Sequence, residues 1–138
     1  MRAPAQRIYA LAADVLRWPE LLPHYRWVSL LEQKGETRLV EMAARRGRIP
    51  VSWRAVQQRF PDVPRITFRH VGGVTRGMDV VWSFDERDGG TLVRITHTLR
   101  LGWPVVGAWA ADRIIGPHFV EYIARRTLGC FRELAEQP

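Results

Sequence analysis

The sequence predicts an α+β domain in which a curved antiparallel sheet wraps a long C-terminal helix. Three observations carry this expectation. Helical patterning is confined to the two ends, the middle is a series of Val-, Ile-, Trp-, Phe- and Thr-rich segments, and those segments are separated by turn residues at regular spacing. With 138 residues and 46% hydrophobic content, the chain can bury one core, so residues 1–138 read as a single domain.

The first element is an amphipathic helix over residues 4 to 14. Pro4 suits the first helical position, and Ile8, Leu11, Ala12 and Val15 recur at helical spacing, although Ala3 is a poor cap. A second short helix is predicted from Trp18 to Leu22, between Pro19 and Pro23. Beyond Pro23 the texture changes. Turn signals at Lys34-Gly35, Arg46-Gly47, Pro61 to Pro64, Gly72-Gly73 and Asp88-Gly89-Gly90 divide strands near 24–33, 36–45, 48–60, 64–71, 77–86 and 91–101. A helical region from 105 to 136 closes the chain, kinked or divided at Gly116-Pro117. Its apolar stripe is Phe119, Ile123, Cys130 and Leu134, with Glu121, Arg125, Arg132 and Glu133 on the opposite face. Such a helix needs a sheet to cover.

Strand alternation sorts the sheet into faces, because residues two apart point the same way. Ile49, Val51, Trp53 and Ala55 share a face with Gln57 and Arg59, and Ile66 and Phe68 share one with His70. Met78, Val80, Trp82 and Phe84 form an all-apolar face, and Val93, Ile95 and Leu99 share theirs with His97. The interior is therefore aromatic with a few polar groups. Polar groups buried unpaired would cost several kcal/mol each, so they must meet one another, solvent or a ligand. An apolar hollow with few convergent polar groups is the usual form of a small-molecule site. The alternatives are a filled core in which each His is satisfied by a neighbour, and an Arg59 that reaches water from a strand end near Pro61.

Composition excludes other classes. The charge of +7 invites a nucleic-acid partner, but all basic residues except Lys34 are Arg and they are spread along the chain, so no nucleic acid is expected. Apolar stretches are broken well before the roughly 18 residues a membrane span needs, and no signal-peptide core is evident, so a cytoplasmic protein without stable membrane insertion is expected. The lone Cys130 and four scattered His residues offer no metal-ligand spacing, and neither a metal nor a cofactor is expected. Ser29, Ser52 and Ser83 lack a nucleophile-elbow context, which argues against covalent catalysis. Gly72 to Gly77 reads as a hairpin loop rather than a phosphate cradle, and Leu101 to Val106 as either an entrance lid or a helix-docking segment.

The segments LAADVLRWPELLPHY, WRAVQQRFPD, MDVVWSF and GGTLVRITHTL together resemble the polyketide cyclase/dehydrase and START-like lipid-transport superfamily, in its bacterial aromatase/cyclase branch. The resemblance spans nearly the whole chain, and coenzyme Q-binding relatives share a similar Pro-Glu-x-x-Pro turn. It implies a helix-grip fold, with a cavity between sheet and terminal helix, in which the usual first strand is here largely missing, so that either the start codon is set too far downstream or the sheet lacks a strand and exposes an edge. The sheet edge so exposed could pair with a second copy, giving a homodimer, and residues 1–3 are expected to fray or to lie in an intermolecular contact.

The resemblance also implies site residues. Tyr25, just after the Trp-Pro-Glu turn, and Arg59, before the Pro-Asp turn, match positions assigned to orienting a poly-β-ketone chain. Trp18, Trp53 and Trp82 match pocket aromatics. With the face sorting, the expected ligand-binding set is Trp18, Trp27, Trp53, Phe68, Met78, Val80, Trp82, Phe119 and Ile123, and the expected catalytic set is Arg59, Tyr25, His70 and His97. In an aromatase/cyclase, Arg59 would stabilise an enolate or alkoxide, Tyr25 would donate or relay a proton, and a histidine would serve as secondary acid or base. The alternative is a non-catalytic carrier of a lipid or quinone.

Overall fold

The computed structural model describes residues 1–73, 75–99 and 117–137, with no account of the side chains of residues 99 and 117–119. Helix α1 (Ala5–Ala13) starts after Pro4, which occupies the cap position without a side-chain bond, and buries Ala5, Ile8, Tyr9, Ala12 and Ala13. A 3₁₀ turn (Val15–Arg17) leads into α2 (Trp18–Leu21), whose Leu22 amide bonds back to the Trp18 carbonyl. The last carbonyls of α1 have no helical partner of their own. They are satisfied from outside: the Trp18 indole N–H donates to the Ala12 carbonyl at 3.2 Å, and Gln57 Nε2 donates to the Ala13 carbonyl at 3.0 Å. These bonds seat α1 on the sheet at Gln57.

Six strands follow in a meander, each antiparallel to the next: β1 (Tyr25–Lys34), β2 (Thr37–Arg46), β3 (Ile49–Phe60), β4 (Arg65–Gly73), β5 (Met78–Arg87) and β6 (Gly90–Leu99). Chain order and spatial order coincide. Turns of two to four residues join β1 through β4, as the Gly and Pro punctuation requires, and Gly35 and Gly47 take the positive φ that tight hairpins need. The sheet bends where register slips. Bulges fall between Tyr25 and Trp27, between Leu30 and Glu32, and opposite Arg54/Ala55, where β4 carries the extra residue Val71.

The bent sheet presents one face inward. Val40, Met42, Ala44, Val51, Trp53, Ala55, Ile66 and Phe68 are buried on it, as are Met78, Val80, Trp82 and Phe84. Full burial of such side chains is worth about 1.5–3 kcal/mol each. Helix α3 (Pro117–Glu136) lies across this face. Its buried line is Ile123, Thr127, Phe131 and Ala135, each four residues from the next, while Cys130 and Leu134 are only partly covered. The stripe expected through Cys130 and Leu134 is thus rotated onto Thr127 and Phe131. A polar Thr is tolerated there because its hydroxyl donates to the Ile123 carbonyl one turn back, at 2.7 Å. The outward face carries ion pairs such as Arg125 with Glu121.

The N-terminus departs from expectation. The Met1 terminal ammonium donates to the Thr91 carbonyl and the Thr91 amide to the Met1 carbonyl, both at 2.8 Å, and the Thr91 hydroxyl donates to the Ala3 carbonyl at 2.7 Å. Residues 1–3 therefore do not fray; they continue the sheet for one pair of bonds beside the start of β6. The approach is close enough that a side chain at Gly90 would collide with the Met1 carbonyl. The helical stretch expected over 105–116, the segment Leu101 to Val106 and the break at Gly116 lie outside the described residues. Among the described residues no helix is long and apolar enough to cross a membrane.

Candidate functional site

Sheet and helix do not meet everywhere. Between them lies a pocket that opens to solvent. Trp18 is the hub of its wall. Its ring packs edge-on against Tyr25 at 5.0 Å between centroids and against Phe131 at 5.8 Å, and tilts against Phe68 and Trp82 at 6.0 and 5.9 Å. Such aromatic pairs add about 0.5–1.5 kcal/mol each beyond their burial, so this wall is held in place by more than area alone. Trp53 continues it, edge-on to Tyr25 and stacked on His70 at 5.8 Å with 19° between the planes. Met78 and Val80 line the β5 side, and Val120, Ile123 and Ala124 form the helix side.

Few polar groups interrupt this surface. They are Tyr25, His70 with Thr75, His97 and Thr127. Among the described residues no Asp, Glu, Lys or Arg lines the cavity. Burial therefore governs the titration of what remains. The Tyr25 phenol is held far above its usual range by burial and keeps its proton. His70 is pushed down to about 4 by burial, with the His97 imidazole adding to the drop and Asp79 opposing it. His97 is lowered by burial too, although its side chain is exposed at the rim of the cavity. Both imidazoles are uncharged at neutral pH. His70 Nδ1 lies 2.6 Å from the Thr75 hydroxyl. Behind the wall, buried His24 places Nε2 2.8 Å from Thr127 Oγ1 and is likewise pushed down to about 4 by burial, with Arg126 contributing.

The structure brings together Trp18, Tyr25, Trp53, Phe68, His70, Met78, Val80, Trp82, His97 and Ile123, all expected from the sequence. It does not bring Arg59 or Trp27. Trp27 sits beside the bulge in β1 and is 38% exposed, outside the cavity. Arg59 does lie on the inward face, but beyond the point where α1 is seated on Gln57. There its Nε is 3.1 Å from Glu36 Oε2, its amide donates to the Glu36 carbonyl, and Tyr9 of α1 and Arg38 of β2 are its charged or polar neighbours. The sheet's inner face is longer than the cavity. At one end it is covered by α1, and Arg59 belongs to that end. The side chain of Phe119 lies outside the described residues.

Sequence reasoning missed Met42, Thr75, Ile95, Val120, Ala124 and Thr127 as lining residues. Met42 and Ile95 follow the strand alternation already used and could have been found. Thr75 could not, because a turn residue has no periodicity. Among the described residues no group of three or more His, Cys, Asp or Glu side chains is placed to hold a metal ion.

Residues 1–113 match the profile of the family described as "Polyketide cyclase / dehydrase and lipid transport". The chain is 33% identical over 98 residues to the actinorhodin polyketide synthase bifunctional cyclase/dehydratase of Streptomyces coelicolor, a match covering 70% of this chain and 31% of that protein. It thus spans about a third of that relative's length. Among solved structures, the di-domain ARO/CYC BexL from the BE-7585A biosynthetic pathway superposes with a TM-score of 0.83 and 26% identity, over 100% of this chain and 48% of that one. The Zhui aromatase/cyclase from Streptomyces sp. R1128 superposes with a TM-score of 0.82 over 98% of this chain and 88% of that one, at 21% identity.

Proposed function

The chain belongs to the polyketide cyclase/dehydrase and lipid-transport family, and on that premise we propose that it is an aromatase/cyclase, which folds a poly-β-ketone in the cavity and assists its cyclisation and dehydration. The observation that carries this reading is an aromatic hollow without an ionic side chain among its described lining residues, with a phenol and two uncharged imidazoles facing one space. An uncharged, carbonyl-rich chain suits that lining: flat ketone and enol segments pack on Trp18, Trp53 and Trp82, while a few N–H and O–H groups meet carbonyl oxygens.

Much of the chemistry is positional. Holding an enolisable carbon near a ketone carbon in a near-attack geometry is worth up to about 7–11 kcal/mol. The cavity residues then divide the remaining work. His97, at the rim and with its pKa lowered, accepts the proton from the carbon between two carbonyls. The carbon–carbon bond forms as the ketone π pair moves to oxygen. Tyr25, which keeps its proton, and His70 stabilise that oxygen by hydrogen bonding, and the proton held by His97 returns to it as a hydroxyl. Loss of a second α-proton with this hydroxyl releases water and sets the ring. No covalent intermediate or external oxidant is required.

Arg59 has no part in this scheme, since it is outside the cavity lining and paired with Glu36. The test is product analysis with a linear poly-β-ketone thioester. Wild type is expected to concentrate the product into one cyclised, dehydrated compound, and His97→Gln to lower kcat by about a hundredfold, the scale of general acid–base catalysis. A product pattern identical with and without protein would exclude the enzyme and leave a carrier.

A further inference from the structure

Resting on the cyclase reading, we propose that Thr75 is a positioning residue: its hydroxyl donates to His70 Nδ1 and so fixes His70 in the tautomer protonated on Nε2, which presents a neutral N–H donor to the cavity. His70 is then a hydrogen-bond donor to the reacting ketone oxygen, not a base.

The direction of the bond follows from counting protons. Thr75 and His70 are both buried, 3% and 7% exposed, and Thr75 Oγ1 to His70 Nδ1 is 2.6 Å. A threonine hydroxyl has one proton to place. Among the described residues its only hydrogen-bond partner is the imidazole; the nearby His70 and Gly73 carbonyls accept from the Gly77 and Arg76 amides. Were Nδ1 to carry the proton and the hydroxyl to accept it, the hydroxyl proton would have no acceptor among the described residues, and a buried donor left unpaired costs about 1–3 kcal/mol. With the hydroxyl as donor, Nδ1 is the acceptor and the neutral ring must carry its proton on Nε2. Nε2 is also the nitrogen that Thr75 leaves free for a ligand.

Local architecture is arranged to hold this pair. The bulge at Val71 and the left-handed Gly73, at φ +84°, turn the chain sharply after His70. The Gly77 amide then bonds to the His70 carbonyl at 2.9 Å and the Met78 amide to the Thr75 carbonyl at 3.1 Å, which folds Thr75 back over the ring. Trp53, stacked on the imidazole, limits its rotation. Bulges next to active sites commonly re-aim a side chain in this manner. The chemical consequence is a division of labour. Giving up the Nε2 proton would leave an anionic imidazolate, so His70 stabilises the developing alkoxide by donation while the transferred proton travels on His97.

The test reads the imidazole nitrogen chemical shifts of His70 in protein carrying isotope-labelled histidine, alongside turnover of a linear poly-β-ketone thioester. In wild type and Thr75→Ser, Nε2 is expected to be protonated and Nδ1 bare. In Thr75→Val, nearly the same shape without the hydroxyl, the shifts move toward a tautomer mixture, and kcat falls by about tenfold or more with KM little changed, restored in Thr75→Ser. A wild-type ring protonated on Nδ1, or shifts unaltered in Thr75→Val, overturns the proposal, as does a Thr75→Val enzyme that loses the tautomer yet turns over like wild type. The expected shifts in a wild-type protein with no turnover would instead refute the cyclase reading and leave the Thr75–His70 pairing standing.

Discussion

His24 Nε2 lies 2.8 Å from the Thr127 hydroxyl, joining the residue before β1 to the buried line of α3. Thr127 already donates its proton to the Ile123 carbonyl, so it accepts from His24, whose other ring nitrogen is buried and has no hydrogen-bond partner among the described residues. This pair is a clamp between sheet and helix, and it is burial, with Arg126 nearby, that keeps the imidazole uncharged.

Acid should therefore loosen the domain. Unfolded, His24 takes up a proton near its ordinary 6.5, whereas folded it resists until about 4. Between those values the unfolded chain binds more protons, so the contribution is whole above pH 6.5 and is lost progressively as pH falls toward 4, by at most about 3 kcal/mol. His70 adds a loss of the same sign over the same window. Urea midpoints measured from pH 7 to 4.5 should fall, and His24→Gln, which keeps a donor for Thr127, should flatten the curve. An unchanged slope in that variant would remove His24 from the account.

Gly73→Ala should be costly and Gly72→Ala should not. Gly73 has φ +84°, and a Cβ there would lie 2.6 Å from the Ser52 carbonyl oxygen, while a Cβ on Gly72 would meet only the Arg54 side chain at an ordinary 3.5 Å. A left-handed non-glycine residue costs about 1–3 kcal/mol before that collision is counted. Thermal unfolding of the two variants checks this, with Gly73→Ala expected to lose the larger amount.

Arg59→Met should leave ligand affinity within about twofold and change stability by less than about 1 kcal/mol, because its partner Glu36 is 57% exposed. Isothermal titration with an apolar aromatic ligand makes the comparison. A tenfold loss of affinity would return Arg59 to the binding site.

The strands were legible almost residue by residue. Expected spans of 24–33 and 36–45 became Tyr25–Lys34 and Thr37–Arg46, because period-two alternation and Gly-marked hairpins are local signals. The inward orientation of Arg59 was correct, but alternation reports a face and not what covers it, and α1 covers that end of β3 through Gln57. The same limit placed Trp27 in the cavity, since a bulge between Tyr25 and Trp27 breaks the alternation that would have sorted it. The stripe of α3 was misplaced by about a third of a turn, because Thr127 looks polar in sequence until its bond to Ile123 is seen. Gly72 and Gly73, read as loop, end β4, and their conformation is what brings Thr75 to His70.

The central claim is that the space under α3 admits a poly-β-ketone, and the most direct measurement is the affinity of a non-cyclising poly-β-ketone mimic for wild type and for Ala124→Trp. Ala124 lines the cavity from the helix and is only partly buried, so an indole there fills the hollow without displacing the core. Wild type is predicted to bind one equivalent, and Ala124→Trp, with an unchanged melting temperature, to bind at least about tenfold more weakly, a difference of about 1.4 kcal/mol. Equal affinity in the two proteins would contradict the account.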